Sequence, residues 1–123
     1  MSDKNAPVLV VDHLPMVRRM VRQCLRKLGY ENVQEADSLP AAAEMLESNN
    51  FKLVISDCEM PECNPQQFLR AVRTSVQTKE APILFIASST VRLPTLDDTR
   101  VGFIQKPFTA QHIEKRLSAF CES

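Results

Sequence analysis

Asp12, Asp57 and Lys106 each stand at the end of a short, mostly apolar run of the chain. Two carboxylates held close together repel each other, which favours a bound divalent cation. A lysine facing the same pocket would add a fixed positive charge. An oxygen-rich site with a lysine suits phosphoryl chemistry, in which positioning and charge neutralisation supply most of the catalysis. If the three side chains meet, the sequence therefore predicts a site for a cation and a phosphoryl group.

The apolar runs that precede these residues have the pattern of buried strands. Segments 8–11 and 83–87 are apolar without alternation, which is typical of strands covered on both faces. Between the runs, apolar residues recur at three-and-four spacing, which predicts helices. The predicted strands are 8–11, 32–36, 51–56, 83–87 and 101–105, and the predicted helices begin near Pro15, Ser38, Asn64 and Thr109.

Strands that alternate with helices predict an α/β fold, a doubly wound five-stranded parallel sheet with helices on both faces. Binding sites on such sheets lie beyond the carboxyl ends of the strands. We expect one domain over residues 1–123, with a flexible N-terminus at residues 1–6. The strand-end rule selects Asp12, His13, Asp57, Cys58, Glu59, Ala87, Ser88, Lys106 and Pro107.

Composition limits the class of protein. The 123 residues fit one domain, and 44% hydrophobic residues are enough for a core. Fifteen Lys and Arg balance fifteen Asp and Glu, so bulk charge gives no reason to expect nucleic acid or an anionic membrane as partner. The longest apolar run, 83–87, is far too short to cross a bilayer. We therefore expect a cytoplasmic protein with no nucleic-acid and no membrane partner.

Cysteines and basic residues receive ordinary interpretations. The cysteines lack CxxC and zinc-ligand spacing, so we expect reduced thiols. They are Cys24, Cys58, Cys63 and Cys121. The basic residues of the first helix have no aromatic residues interleaved, so we interpret them as a solvated helix face. They are Arg18, Arg19, Arg22, Arg26 and Lys27.

Five stretches stand in a fixed order along the chain, namely 8–12, 16–19, 28–30, 56–61 and 106–108. Together they resemble the receiver domains of bacterial response regulators, and most closely the stand-alone, CheY-like chemotaxis type. The ordered set is specific, whereas any one piece alone would be weak. The resemblance implies a CheY-like, flavodoxin-like sheet with strand order 2-1-3-4-5 and a cis bond between Lys106 and Pro107.

The resemblance also implies a function, that of a single-domain response regulator in a two-component phosphorelay. Asp57 would accept a phosphoryl group from a sensor histidine kinase, and Lys106 would pair with the phosphoryl oxygens. Asp12, Asp57 and the backbone carbonyl of Glu59 would bind Mg²⁺. Any catalysis would be limited to self-phosphorylation from a phosphohistidine donor and to autodephosphorylation. Output would come from binding a downstream target protein, through the face near strand five and the last helix.

His13 departs from the family, which usually has a second acidic residue at that position. Losing one carboxylate predicts weaker binding of Mg²⁺, a hard ion that prefers oxygen. Imidazole suits softer metals instead, or in its protonated form occupies part of the place of the cation. The alternative is a tolerated surface histidine.

Two further side chains depart at the site. Ala87 aligns with the phosphoryl-binding Thr or Ser of the family and has no hydroxyl. Ser88 can replace it only if the strand has ended, because adjacent strand residues point to opposite faces. Phe103 aligns with the switch aromatic residue, often Tyr, and lacks its hydroxyl.

Two backbone segments depart as well. Asn64 and Pro65 replace an Asp-Gly pair, and proline cannot take the positive φ of glycine, so that turn must be remodelled. The segment 88–100 is shorter than in the family by about one helical turn and contains Pro94. We expect a shortened or irregular fourth helix, a short one at most, beginning near Thr95.

These departures leave two functions open. One is the phosphorylated response regulator described above. The other is a degenerate pseudo-receiver that serves as a phosphorylation-independent protein interaction module. Whether Asp57 can hold a phosphoryl group distinguishes them.

Overall fold

A computed structural model of the chain describes residues 4–61, 64–88 and 92–121. The strands pair in parallel as one five-stranded sheet in the order β2-β1-β3-β4-β5. The predicted α/β architecture and strand order are therefore confirmed. In chain order the elements are β1 (Val8–Val11), α1 (Pro15–Lys27), β2 (Val33–Ala36), α2 (Leu39–Ser48), β3 (Leu53–Asp57), α3 (Pro65–Thr74), β4 (Ile83–Ala87), β5 (Val101–Gln105) and α4 (Ala110–Cys121).

The sheet separates two hydrophobic cores, which is why its strands read as unbroken apolar runs. In β1, Val8 and Val10 pack into the core that α1 and α4 cover, whereas Leu9 and Val11 pack into the core that α2 and α3 cover. All residues of β1, β3 and β4 are buried. Each fully buried Val, Leu, Ile or Phe side chain stabilises the fold by about 1.5–3 kcal/mol through removal from water.

Caps and proline define the helix ends. Pro15 occupies the first turn of α1, and Gly29 follows that helix with φ of 96°, a conformation that glycine adopts without steric cost. The hydroxyl of Ser38 accepts a hydrogen bond from the N–H of Ala41 at the start of α2. These local signals were predicted, and the helices begin where they stand.

The pair Asn64 and Pro65 begins α3. The Asn64 side chain accepts from the N–H of Gln67 over 2.9 Å, and the Gln67 side chain accepts from the N–H of Asn64 over 3.1 Å. This reciprocal capping box satisfies two N–H groups that a helix start otherwise leaves open. At the position where a changed turn was expected, Asn64 and Pro65 thus form the capped start of α3. Residues 62–63, which precede it, lie outside the described part of the structure.

The expected irregular segment before β5 is confirmed, and the short helix that we expected at most near Thr95 is absent from the described residues. Residues 92–100 contain no helix, so β4 connects to β5 through irregular chain in its described part. Pro94 removes a backbone donor there. Asp98 uses its carboxylate for Arg73, with Nε 2.8 Å from Oδ2, and for the N–H of Arg100. Such side-chain bonds compete with helical hydrogen bonding, and α4 is therefore the helix after β5.

The predicted flexible N-terminus is described only from residue 4. Ala6 is buried, and the ammonium group of Lys4 lies 4.2 Å from the centre of the Tyr30 ring. Lys4 and Ala6 therefore contact the domain, and the flexibility expected for residues 1–6 stays a prediction. Among the described helices, none is long and apolar enough to cross a membrane.

Candidate functional site

The carboxyl ends of β1 and β3 bring two carboxylates together. Val11 pairs with Ser56 in the parallel register of these strands. Asp12 is the first residue after β1, and Asp57 is the last residue of β3. Both are buried, with exposed fractions of 1% and 5%. The carboxyl end of the sheet thus holds two carboxylates; the sequence predicted their strand-end position, and the structure adds that both are buried.

His13 lies against both carboxylates. Its Nδ1 atom is 3.6 Å from Oδ1 of Asp12 and 3.6 Å from Oδ2 of Asp57. One ligand atom from each of the three residues falls within a group no wider than 4.8 Å. The imidazole is 42% exposed, so it closes the site from the solvent side. His13 is thus an exposed histidine that contacts both carboxylates, and its role as a metal ligand stays a prediction.

Asp12 carries the main electrostatic cost of the site. Its Oδ1 atom accepts a hydrogen bond from the N–H of Leu14 over 2.9 Å. Its Oδ2 atom is buried and has no hydrogen-bond partner among the described residues. Burial raises the pKa of this carboxyl, and the nearby Asp57 raises it further, against the lowering effects of the Leu14 N–H, Lys106 and His13. A bound cation would relieve both the burial and the repulsion.

Asp57 is oriented by the backbone. Its Oδ1 atom accepts from the N–H of Glu59 over 3.0 Å, while its Oδ2 atom faces His13. Lys106 is the first residue after β5, and its N–H donates to the carbonyl of Ala87 over 2.8 Å. The peptide bond between Lys106 and Pro107 is cis. Asp12, Asp57 and Lys106 therefore all lie at the carboxyl end of the sheet.

The end of β4 supplies no side-chain hydroxyl from within the strand. Ala87 is the last residue of β4 and is fully buried. Ser88 lies just beyond the strand, and its N–H donates to Oε2 of Glu59 over 3.0 Å. The strand has ended before Ser88, which is the condition under which Ser88 could replace the missing hydroxyl. Its use for that purpose stays a prediction.

Phe103 packs on the sheet near the same end. It is half-buried in β5, and its ring stacks on that of Phe85 with centroids 5.6 Å apart. The Phe85 ring in turn meets Phe68 edge-on, with centroids 6.3 Å apart. A row of three aromatic rings thus links β5 to α3 across β4.

Arg18 of α1 contacts the backbone of the site, which the sequence interpretation missed. Arg18 donates through Nη1 to the backbone carbonyl of Asp12 over 2.6 Å and through Nε to Glu35 over 2.9 Å. Arg22 also contacts the Glu35 carboxylate, at 3.0 Å. The interpretation as a solvated face is wrong for these two residues, because Glu35 on β2 pairs with both. The missing signal was the partner, which is distant in sequence.

The Glu59 side chain was also missed, since only its backbone carbonyl was considered.

Of the cysteines, Cys24 and Cys58 are free. Burial, with the charges of Glu59 and Asp57, raises the pKa of the Cys58 thiol to about 11. Cys58 therefore stays protonated and packs in the core beside the site. Cys63 and the side chain of Cys121 lie outside the described part of the structure.

Comparison with known proteins now gives the family. Residues 8–118 match the response regulator receiver domain. The chain belongs to that family. It is 33% identical over 123 residues to the chemotaxis protein CheY-3 of Vibrio cholerae, covering 98% of this chain and 95% of the relative. It is also 33% identical over 118 residues to the chemotaxis protein CheY of Pseudomonas aeruginosa, covering 94% and 95%.

Solved structures agree. The chemotaxis response regulator CheY4 of Vibrio cholerae superposes with a TM-score of 0.78 at 32% identity, covering 94% of this chain and 98% of that one. The receiver domain of the hybrid histidine kinase CckA superposes with a TM-score of 0.73 at 30% identity, covering 94% and 99%. The resemblance to a stand-alone, CheY-like receiver domain is therefore confirmed.

Receiver domains typically bind Mg²⁺ at an acidic site, and they interact with histidine kinases and downstream targets. In this chain the acidic site consists of Asp12 and Asp57, with His13 between them. The buried Oδ2 atom of Asp12 fits a cation, because it lacks any other partner among the described residues. The donor set differs from an all-oxygen one by a single imidazole.

Proposed function

We propose that this receiver domain accepts a phosphoryl group on Asp57 and signals by binding a target protein, within a cytoplasmic two-component phosphorelay. The observation that carries the proposal is the placement of the Asp57 carboxylate. It is buried, it is oriented by the N–H of Glu59, and it faces Asp12 across His13. A second buried carboxylate would repel an aspartate that had only a structural role at the strand end. The pair therefore supports a functional role.

The reaction follows from this placement. A carboxylate oxygen of Asp57 attacks the phosphorus of a phosphohistidine on a sensor kinase. A P–O bond forms as the P–N bond breaks, and the leaving imidazole takes up a proton, so that Asp57 becomes an acyl phosphate. Lys106 supplies positive charge to the phosphoryl oxygens. The buried position limits water at the acceptor, which slows loss of the phosphoryl group.

A divalent cation supports the proposal. Asp12, Asp57 and the backbone carbonyl of Glu59 would hold it, and it would neutralise charge on the phosphoryl oxygens. Mg²⁺ is the ion typical of the family, and we expect weak binding here because His13 replaces a carboxylate. The N–H of Glu59 orients the carboxylate of Asp57, and the burial of Asp57 excludes water from it.

The output surface that we propose lies beside β5 and α4. A cavity of about 590 Å³ opens there. Its lining includes Leu93, Phe103, Ile104, His112, Lys115 and Arg116. Phe103 lines this cavity and stacks on Phe85, and Ile86, next along β4, pairs with Asp57. Only β4 thus lies between Asp57 on β3 and the surface beside β5 that a target would contact. A phosphoryl group on Asp57 shifts the population of conformations of that surface.

The test is direct phosphorylation. The protein is incubated with a divalent cation and acetyl phosphate, and intact mass is measured for a phosphoryl adduct. We expect an adduct on the wild-type chain and none on the Asp57→Asn variant. Asp37→Asn, at an exposed aspartate, is the matched control and should still form the adduct. An adduct that persists in Asp57→Asn would place the modification elsewhere.

A second candidate, a phosphorylation-independent interaction module, is favoured by the surroundings of Ser88. Ala87 offers no hydroxyl, and the carboxylate of Glu59 already occupies the N–H of Ser88. Both features reduce the donors available to a phosphoryl group. Failure of adduct formation with Mg²⁺, Mn²⁺, Co²⁺ and candidate kinases would support this module and reject the phosphoacceptor proposal.

A further inference from the structure

We propose that Asp12, His13 and Asp57 together bind a divalent transition-metal ion, of the class of Zn²⁺ and Co²⁺, with His13 as a ligand. The ion would be selected by the imidazole rather than by oxygen ligands alone. For its biological role the inference rests on the proposed function, since the same site would carry the cation. Metal binding itself requires no phosphoryl group and can be tested without one.

The spacing of the donor atoms favours this class of ion. Nδ1 of His13 lies 3.6 Å from an oxygen of each carboxylate. Around a tetrahedral ion with bonds of about 2.0–2.2 Å, ligand atoms lie roughly 3.3–3.6 Å apart. Around octahedral Mg²⁺, with bonds of about 2.0–2.1 Å at right angles, adjacent ligand atoms lie only about 2.8–3.0 Å apart. The two distances from the imidazole to the carboxylates match the first geometry.

A second observation points to a ligand. Asp12 is 1% exposed, and its Oδ2 atom has no hydrogen-bond partner within the described residues. Burying a carboxylate oxygen without a partner is costly. A metal ion on the Asp12 carboxylate would supply that partner at Oδ2, whereas Oδ1, the oxygen 3.6 Å from His13, already accepts from the N–H of Leu14.

The charge and the chemistry of the donors agree with this assignment. The two carboxylates carry two negative charges that an ion of charge +2 offsets, and Lys106 adds a positive charge nearby. Imidazole binds Zn²⁺, Co²⁺ and Ni²⁺ well, whereas Mg²⁺ prefers carboxylate, carbonyl and water oxygens. The His13 side chain is 42% exposed, so this ligand of the proposed ion is accessible from solvent.

The experiment measures Co²⁺ and Mg²⁺ binding to the unphosphorylated chain. Visible absorption of Co²⁺ reports its ligands, and calorimetry gives both dissociation constants. The chain has two histidines, so His13→Gln has a matched control in His112→Gln on α4. We expect His13→Gln to weaken Co²⁺ binding about tenfold or more, and His112→Gln to bind Co²⁺ like the wild type.

A third variant tests selectivity. His13→Asp replaces the imidazole with an oxygen ligand, and we expect the preference for Co²⁺ over Mg²⁺ to fall about tenfold or more. Unchanged Co²⁺ affinity in His13→Gln, or an unchanged preference in His13→Asp, would overturn the inference. Intense thiolate-to-cobalt absorption would also overturn it, because the ion would then be on a cysteine. Circular dichroism shows that each variant is folded.

The outcomes separate this inference from the proposed function. If Co²⁺ binds through His13 but no ion supports an adduct on Asp57, the metal site stands and the phosphoacceptor proposal fails. If an adduct forms and the His13 variants bind both ions like the wild type, the phosphoacceptor proposal stands and the metal inference fails.

Discussion

The carboxylate of Glu59 accepts a hydrogen bond from the backbone N–H of Ser88 over 3.0 Å. This contact joins the loop after β3 to the loop after β4. The N–H of Glu59 at the same time donates to Oδ1 of Asp57. One residue therefore orients the proposed acceptor with its backbone and, with its side chain, holds a donor that a phosphoryl group could use.

Removing that side chain should speed phosphorylation of Asp57. In Glu59→Ala the N–H of Ser88 is released and a negative charge leaves the site, so we expect adduct formation from acetyl phosphate to be about threefold to tenfold faster. Glu59→Gln removes only the charge, and its rate of adduct formation should lie between those of the wild type and Glu59→Ala. Intact mass against time gives the rates. Glu80→Ala, at an exposed glutamate, is the control; equal rates in Glu59→Ala and wild type would contradict the prediction.

The Arg73–Asp98 pair should stabilise the fold, because it ties the irregular chain before β5 to the end of α3. Both side chains are mostly buried, with exposed fractions of 20% and 17%. Nη1 of Arg73 also donates to the carbonyl of Ala81. We expect Asp98→Ala to lower the free energy of unfolding by about 1–3 kcal/mol, since it leaves the guanidinium without its partner. Urea unfolding measures the loss.

Asp97→Ala is the neighbouring control. Asp97 is exposed, so its removal should change the stability by less than about 0.5 kcal/mol. Equal losses in the two variants would show that the ion pair has no special role.

The same pair should make stability depend on acid. The hydrogen bond from Arg73 is the largest cause that holds the pKa of Asp98 below its ordinary value of 3.8, with the N–H of Arg100 acting in the same direction against burial. Below pH 3.8 the unfolded chain binds a proton at this position more readily than the folded chain does. The stabilisation is therefore complete above pH 3.8 and declines as the pH falls through the lowered folded-state pKa.

We expect the stability difference between wild type and Asp98→Asn to be constant near neutral pH and to shrink in this acid range. Urea unfolding at a series of pH values measures it. A difference that stays constant down to the lowest pH at which the chain folds would contradict the assigned cause.

Asp12→Asn should stabilise the chain when metal is chelated. Asparagine keeps an oxygen for the N–H of Leu14, removes a buried charge, and offers an N–H donor toward Asp57. We expect the free energy of unfolding in EDTA to rise by about 1 kcal/mol. Asp37→Asn is the exposed control and should change little. A loss of stability in Asp12→Asn would show that the charge is better compensated than the contacts indicate.

Most of the fold could be predicted from the sequence because its strands and helices depend on local patterns. Unbroken apolar runs such as 83–87, and caps such as Ser38 and Asn64, each act within a few residues. The irregular segment before β5 was predicted, but the contact of Asp98 with a distant arginine, Arg73, was not. That contact spans 25 residues, and no periodicity encodes it.

The site divides in the same way. Asp12, Asp57 and Lys106 were found because strand-end position follows from topology. The Glu59 contact with Ser88 and the Arg18 contact with the Asp12 carbonyl depend on side-chain directions, which the sequence does not state. His13 lies between these cases, since its neighbour in sequence is also its neighbour in space, but its contact with Asp57 needed the register of β1 and β3.

The position of β5 has a consequence for motion. This strand forms an edge of the sheet, and its residues Val101, Gly102 and Phe103 are only half-buried, whereas β1, β3 and β4 are fully buried. Amide hydrogens of β5 should therefore exchange with deuterium earlier than those of the central strands, through local opening. We therefore expect the central strands β1 and β3, which position the two carboxylates, to stay fixed, and the edge strand β5 to change conformation at a small cost in free energy.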